Sequence, residues 1–331
     1  MPNRDKVLIT IVALITLAIL IGGHDGVWAK DASGSFDRNL TVAGPVELRV
    51  DNGSGSVNVR RGGSSSVSVH AEIRTNHWGL GGGASDSDIH EIEQNPPIKQ
   101  DGNNIRIYKL DGDLGRHISI NYEITVPEAT TVEAHTGSGS QTVEMIQGPV
   151  TLSTGSGSLR VHDVNSATEL QTGSGSIEIN DIHGAVQAKT GSGSINGDAI
   201  AGAFKGETGS GHLEVRLTAP GDVTASSGSG HVTVNGVDGG LYAESGSGHI
   251  EVSGTPRSDW KLHTGSGGVD VRIPNNVGFN VDAHAGSGSV DVAGPITMES
   301  GSINRHEVRG QVRGGGPEVH ITTGSGSISI D

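Results

Sequence analysis

Val186-Gln-Ala-Lys-Thr-Gly-Ser-Gly-Ser-Ile195 contains the plan of most of the chain in ten residues. Period-2 alternation puts Val186, Ala188 and Thr190 on one face of a strand and Gln187 and Lys189 on the other. A Gly-Ser-Gly-Ser corner then ends that strand, and a second alternation starts at Ile195. Gly-Ser-Gly followed by Ser, His or Gly occurs eleven times, and from Gly137 to Gly286 it returns at intervals of 18, 18, 18, 18, 19, 18, 19 and 21 residues. A period near twenty marks stacked units, none of which can bury its apolar face alone. The sequence therefore predicts an all-β fold: a single-stranded parallel β-helix, or β-solenoid, of about 18–19 residues per turn. The crossover rule makes it right-handed.

The same frame recurs outward from this unit, as Val132/Ala134/Thr136, Val150/Leu152/Thr154, Val223/Ala225/Ser227, Leu241/Ala243/Ser245, Trp260/Leu262/Thr264, Val281/Ala283/Ala285 and Val319/Ile321/Thr323. From Gly137 onward the position before each Gly-Ser-Gly admits only Thr, Ser or Ala. Such restriction predicts an inward ladder of small side chains whose hydroxyls bond neighbouring turns. After each corner come inward pairs such as Ile177/Ile179, Leu213/Val215 and Ile250/Val252. Equivalent strands of successive turns pair in parallel, and the corner glycines are expected at φ > 0. Successive turns are expected to stack in chain order, which puts Glu251, Asp270 and Asp291 side by side. Residues 300–311 read as a degenerate turn.

Residues 30–131 lack the period and read as a β-rich N-terminal cap with the first solenoid strands, ahead of a repetitive solenoid over 132–331. One complete unit already stands at Leu48/Val50 with Asn52-Gly53-Ser54-Gly55-Ser56. Ser85 offers a helix cap before Asp86–Gln94, with Ile89 and Ile92 three apart, so one short helix is expected, ended by Pro96-Pro97. The cap would cover the open edge of the solenoid. Residues 1–29 read as a signal peptide or an uncleaved anchor: Arg4 and Lys6, an apolar run of fifteen from Val7 to Ile21, then Val27-Trp28-Ala29.

Apolar residues form 33% of the chain and aromatics 3%, which suits a narrow core along a rod better than one large globular core. A net charge of −15 argues against direct nucleic-acid binding, because phosphate attraction needs a basic face. With no cysteine, an exported chain must be held by its own packing.

The string Ile120-Asn-Tyr-Glu-Ile-Thr-Val-Pro-Glu-Ala-Thr-Thr-Val-Glu-Ala-His-Thr-Gly-Ser-Gly-Ser140, with its echo over 148–158, resembles the bacterial putative-adhesin family of exported β-strand-repeat proteins. The resemblance implies a right-handed β-helix outside the cytoplasm, in the periplasm, at the cell surface or beyond it. It brings no catalytic residues with it.

His212, His231 and His249 fill the last position of three consecutive corners, with Glu214 and Glu251 two residues further on. Stacked imidazoles about 5 Å apart beside carboxylates are a candidate site for a divalent cation. The plain alternative is histidine replacing serine on a solvated face. No Gly-x-Ser-x-Gly elbow is present, and carboxylates are scattered by the repeat rather than gathered in a groove, which counts against an enzyme. Trp78, in a glycine-rich loop, and Tyr242, outward on its strand, are the candidate contact residues for a partner. That partner is a surface glycan or an envelope protein, with membrane contact only through the N-terminal segment if it stays uncleaved.

Overall fold

The computed structural model describes residues 33–75, 85–112, 114–297 and 303–331. The leader reading of residues 1–29 lies outside these. Residues 31–331 form one compact unit. It is all-β, with strands stacked mainly in parallel as a solenoid. The short helix Asp86–Gln94 is present, and Ser85 and Asp88 close a reciprocal capping box at its start. Ile89 and Ile92 of that helix are buried.

Two ladders run the length of the array. In the first, Val150–Thr154, Thr168–Thr172, Val186–Thr190, Phe204–Thr208 and Val223–Ser227 pair in parallel with no register shift. In the second, Leu159–Val164 pairs with Ile177–Ile182, and that strand pairs with Ile195–Ile200. Inward positions of both ladders are buried, so each turn adds a few Val, Ile, Leu or Ala side chains to one continuous core. Phe204 is a large exception, and the structure compensates by placing Gly206 against its ring; a Cβ there would lie 2.8 Å from the ring edge.

The corner hydroxyls bond neighbouring turns as the sequence suggests. Thr190 donates to the Gly175 carbonyl of the previous turn at 2.8 Å and accepts from the Gly193 N–H of its own turn at 3.1 Å. Thr172, Thr208, Ser227, Ser245, Thr264 and Thr323 repeat the donation. Asn52 holds this position in the earliest turn and donates to the carbonyls of Gly55 and Ile120. Gln141, fully buried at an inward position, is tolerated because its amide donates to the Thr136 hydroxyl and the Ser153 carbonyl.

Three expectations need correction. The corner glycines of the array, Gly191 and Gly193 among them, are not in the left-handed region. They are required by proximity: a Cβ on Gly193 would stand 1.9 Å from the Gly175 carbonyl oxygen. The left-handed residues form a different corner. Met145, Asp163, Asp181 and Ala199, eighteen residues apart, have φ of 59°, 54°, 56° and 54° and bend the second ladder toward Ile146, Val164, Ile182 and Ile200.

The second correction concerns residues 300–311, which do not form a turn of the stack. Among their described part, Glu307–Val312 lies antiparallel along Phe279–Ala285 and covers its outer edge. The third concerns order. Glu318–Thr323 pairs in parallel with residues 260–264 on one side and with Phe279–Ala285 on the other. Ile328–Ile330 likewise lies between Val269–Arg272 and Val290–Val292. The 318–330 turn is therefore intercalated between two turns that precede it in sequence, and Ser329 separates Asp270 from Asp291.

The other end is capped as expected. Val46–Ser54 and Val57–Arg61 make the earliest turn and stack directly on Thr130–Ser138 and Gln141–Ile146. Chain from both sides of that turn folds back over it: Ile118–Val126 pairs in parallel with Val57–Arg61, then Ser66–Thr75 and Ser33–Thr41 follow antiparallel. Antiparallel strands thus close the N-terminal end of the stack and the outer edge of the first ladder at the other end, which limits edge-to-edge association.

Candidate functional site

Because inward residues are consumed by the core, recognition falls to the outward residues of each strand and to the irregular ends. His212, His231 and His249 do form a column. The His212 and His231 rings stack with centroids 5.1 Å apart and planes 5° apart, whereas His231 and His249 meet edge-on at 6.4 Å and 68°. The spacing follows from the strand separation. Nδ1 of His212 accepts the backbone N–H of His231, and Nδ1 of His231 accepts that of His249. In the neutral rings these bonds leave the proton on Nε2. His249 Nε2 sits 3.0 Å from Asp270 rather than near Glu251, and Glu251 instead accepts from Arg272. Glu214 lies in register with Thr233. The five residues line up along the stack without aiming their ligand atoms at one point; among the described residues, the group whose ligand atoms do converge lies elsewhere.

That group is Asp282, Glu318 and His320, with ligand atoms all within 4.8 Å of one another. The intercalated turn creates it, since Glu318 and His320 sit on the inserted strand and Asp282 on its outer neighbour. Asp282 is already engaged. Arg309, from the covering antiparallel strand, donates to both of its oxygens at 3.0 to 3.1 Å, and His320 Nδ1 lies 3.2 Å away. The Asp282 carboxylate in turn raises the Arg309 guanidinium above its ordinary pKa. A cation entering here must compete with a bidentate guanidinium, so the geometry favours a structural ion-pair cluster. Residues 38 apart in sequence meet only because the turns stack out of order, and no spacing in the sequence signals it.

Tyr242 is where the sequence places it: outward on the first ladder and 43% exposed in a surface otherwise short of aromatics. Its hydroxyl donates to Glu244 at 2.7 Å, and that bond raises the phenol above its ordinary pKa. Thr224 and Lys261 flank it in register on adjacent turns. The ring therefore stands fixed among a carboxylate, a hydroxyl and an ammonium group on a rigid face. Trp78 lies outside the described residues.

The cap contributes one feature that the sequence reading missed. Glu47, Arg49, Lys99, Arg106, Tyr108 and Glu133 line a hollow of about 470 Å³. Lys99, Arg106 and Arg49 are register neighbours on three strands, and Tyr108 is 41% exposed. Arg49 pairs with Glu133, which also meets His135. The Arg49 hydrogen bond, then that of His135, holds the Glu133 carboxyl below the usual range. Exposed Tyr108 beside three cations was the available signal, but their register became visible only once the strands of the cap were paired.

These features define a parallel β-solenoid with hydroxyl-laddered Gly-Ser-Gly corners and capped ends. The chain belongs to the Toastrack DUF4097 family, whose profile matches residues 49–234 and 222–331. Among solved structures, a putative cell adhesion protein from Clostridium sporogenes is similar over 90% of this chain and 99% of its own, at 14% identity and a TM-score of 0.21. A putative adhesin from Bacteroides fragilis is similar over 90% of this chain and 97% of its own, at 10% identity and a TM-score of 0.32. No curated protein matches the chain.

Proposed function

We propose that this chain is a non-enzymatic, exported binding scaffold of adhesin type, acting at the bacterial cell envelope and holding a surface glycan against its solenoid face. The observation that carries the reading is Tyr242, an exposed aromatic ring locked by Glu244 and framed by Thr224 and Lys261 on a rigid sheet. Sugar rings stack their C–H faces on such rings while neighbouring polar groups bond their hydroxyls. A parallel stack adds a second advantage, because ordering costs little when the receptor surface is already fixed. The converging Asp282, Glu318 and His320 are tied up by the Arg309 guanidinium on Asp282, which supports a binding role over catalysis. No helix among the described residues is long and apolar enough to cross a membrane, so export rests on the residue 1–29 reading.

A glycan array probed with the protein and with Tyr242→Ala tests this directly. The expected outcome is binding to a defined glycan class that falls at least tenfold in the variant. Equal binding by both proteins would remove Tyr242 from the reading. Absence of any glycan binding would favour a passive envelope component.

A further inference from the structure

The turn formed by Glu318–Thr323 and Ile328–Ile330 fills a slot whose two walls are built from earlier parts of the chain. Residues 260–264 and Val269–Arg272 make one wall, and Phe279–Ala285 and Val290–Val292 make the other. Insert and slot are thus separable pieces. They are joined through Arg313-Gly-Gly-Gly-Pro317. Arg313, Gly314 and Gly315 of that joint all have positive φ, at 54°, 89° and 78°, which turns the chain sharply back into the slot.

We infer that the slot also accepts this turn from a second copy of the chain, so that two molecules exchange residues 318–330 and form a reciprocally swapped dimer. Exchange preserves the contacts that hold the insert. These include the Thr323 hydroxyl on the Gly267 carbonyl at 2.8 Å, the His263 ring on the Thr322 hydroxyl at 2.7 Å, and the Glu318 N–H on Asp259 at 3.0 Å. Only the joint differs between the two forms, so its bend and the protein concentration set their ratio.

The walls dictate what can enter. A Cβ on Gly326 would stand 1.9 Å from the Gly267 carbonyl oxygen, and a Cβ on Gly288 would stand 1.9 Å from that of Gly326. The entering strand must therefore carry Gly-x-Gly at the corner, with an inward hydroxyl just before it and inward apolar residues on both sides. A second copy of this chain supplies that pattern in register. An unrelated edge strand with side chains at the corner would meet the Gly265 and Gly267 carbonyls of the inner wall.

The chain has no cysteine, which makes the exchange readable by a single engineered pair. His263→Cys with Thr322→Cys places two thiols on adjacent strands of slot and insert. The doubly substituted protein is denatured, refolded at a series of concentrations, oxidised with oxidised glutathione and run on a non-reducing gel. A covalent dimer whose ratio to the cross-linked monomer rises about tenfold for each tenfold rise in refolding concentration supports the exchange. Cross-linked monomer alone at every concentration overturns it. Gly315→Pro in the same background provides the second readout, because proline cannot adopt φ near 78° and the joint must open. More covalent dimer than in the parent at equal concentration supports the exchange, and an unchanged or smaller dimer fraction contradicts it.

Discussion

The array from residue 132 to 272 and the segment from 273 to 331 use the same turn, yet only the first stacks it in chain order. Between the first and last turns of the array, every strand pairs with the strand one period earlier and one period later. Beyond it, the chain skips a level, doubles back along the outer edge as Glu307–Val312, and fills the skipped level with 318–330. The comparison teaches that a repeat specifies the shape of a turn and the face it buries, while the connections decide where each turn goes. Between Gly265 and Gly286 the corner interval lengthens to 21 residues, and that extra chain accompanies a climb of two levels instead of one.

Substitutions can sharpen this contrast. The largest effect is expected at an array corner, where Gly193→Ala forces a Cβ onto the Gly175 carbonyl and should cost about 3 kcal/mol, as overpacking of a closed site does. Gly314→Ala, in the joint of the other region, meets no atom within 4 Å and should cost only ~1 kcal/mol, from left-handed strain. Urea melts of the two variants give the order directly; equal losses would mean that close stacking is not what the array corner requires.

Next in size is Thr190→Val, which leaves the Gly175 carbonyl and the Gly193 N–H without their hydroxyl partner and should cost about 2 kcal/mol. Ala285, buried at the same place in the outermost turn, shows that the position itself accepts an apolar group. A Thr190→Val protein as stable as the parent would make the ladder ornamental in the array too. The smallest effect has the opposite sign. Ala199→Gly relieves a residue at φ 54° and should raise stability by about 0.5 kcal/mol, the left-handed strain removed outweighing the added chain entropy. A lower urea midpoint would show that the bend is not strained.

The solenoid, its inward columns and the short helix were legible because each rests on local pattern: alternation, the corner motif and a cap at Ser85. The role of the corner glycines was misread, since a glycine is required equally by positive φ and by a neighbour's carbonyl, and sequence does not distinguish the two. The left-handed corner was invisible because its column mixes Met145 and Ala199, which do not favour positive φ, with Asp163 and Asp181. At the candidate sites, Tyr242 and the histidine column were placed correctly on outward faces, for direction follows from alternation. Which groups meet depends on the order of turns: Asp282 meets His320, and Asp270 is parted from Asp291, for that reason alone.

The order of turns is also the claim most open to a single measurement. Two double variants, Asp270→Cys with Ser329→Cys and Asp270→Cys with Asp291→Cys, are oxidised at high dilution and mapped by peptide mass spectrometry. One strand spacing, about 4.8 Å, lies within disulfide reach and two, about 9.6 Å, do not. Intercalation predicts a 270–329 disulfide and free thiols in the 270–291 protein. A 270–291 disulfide with 270 and 329 left free would contradict it and restore stacking in chain order.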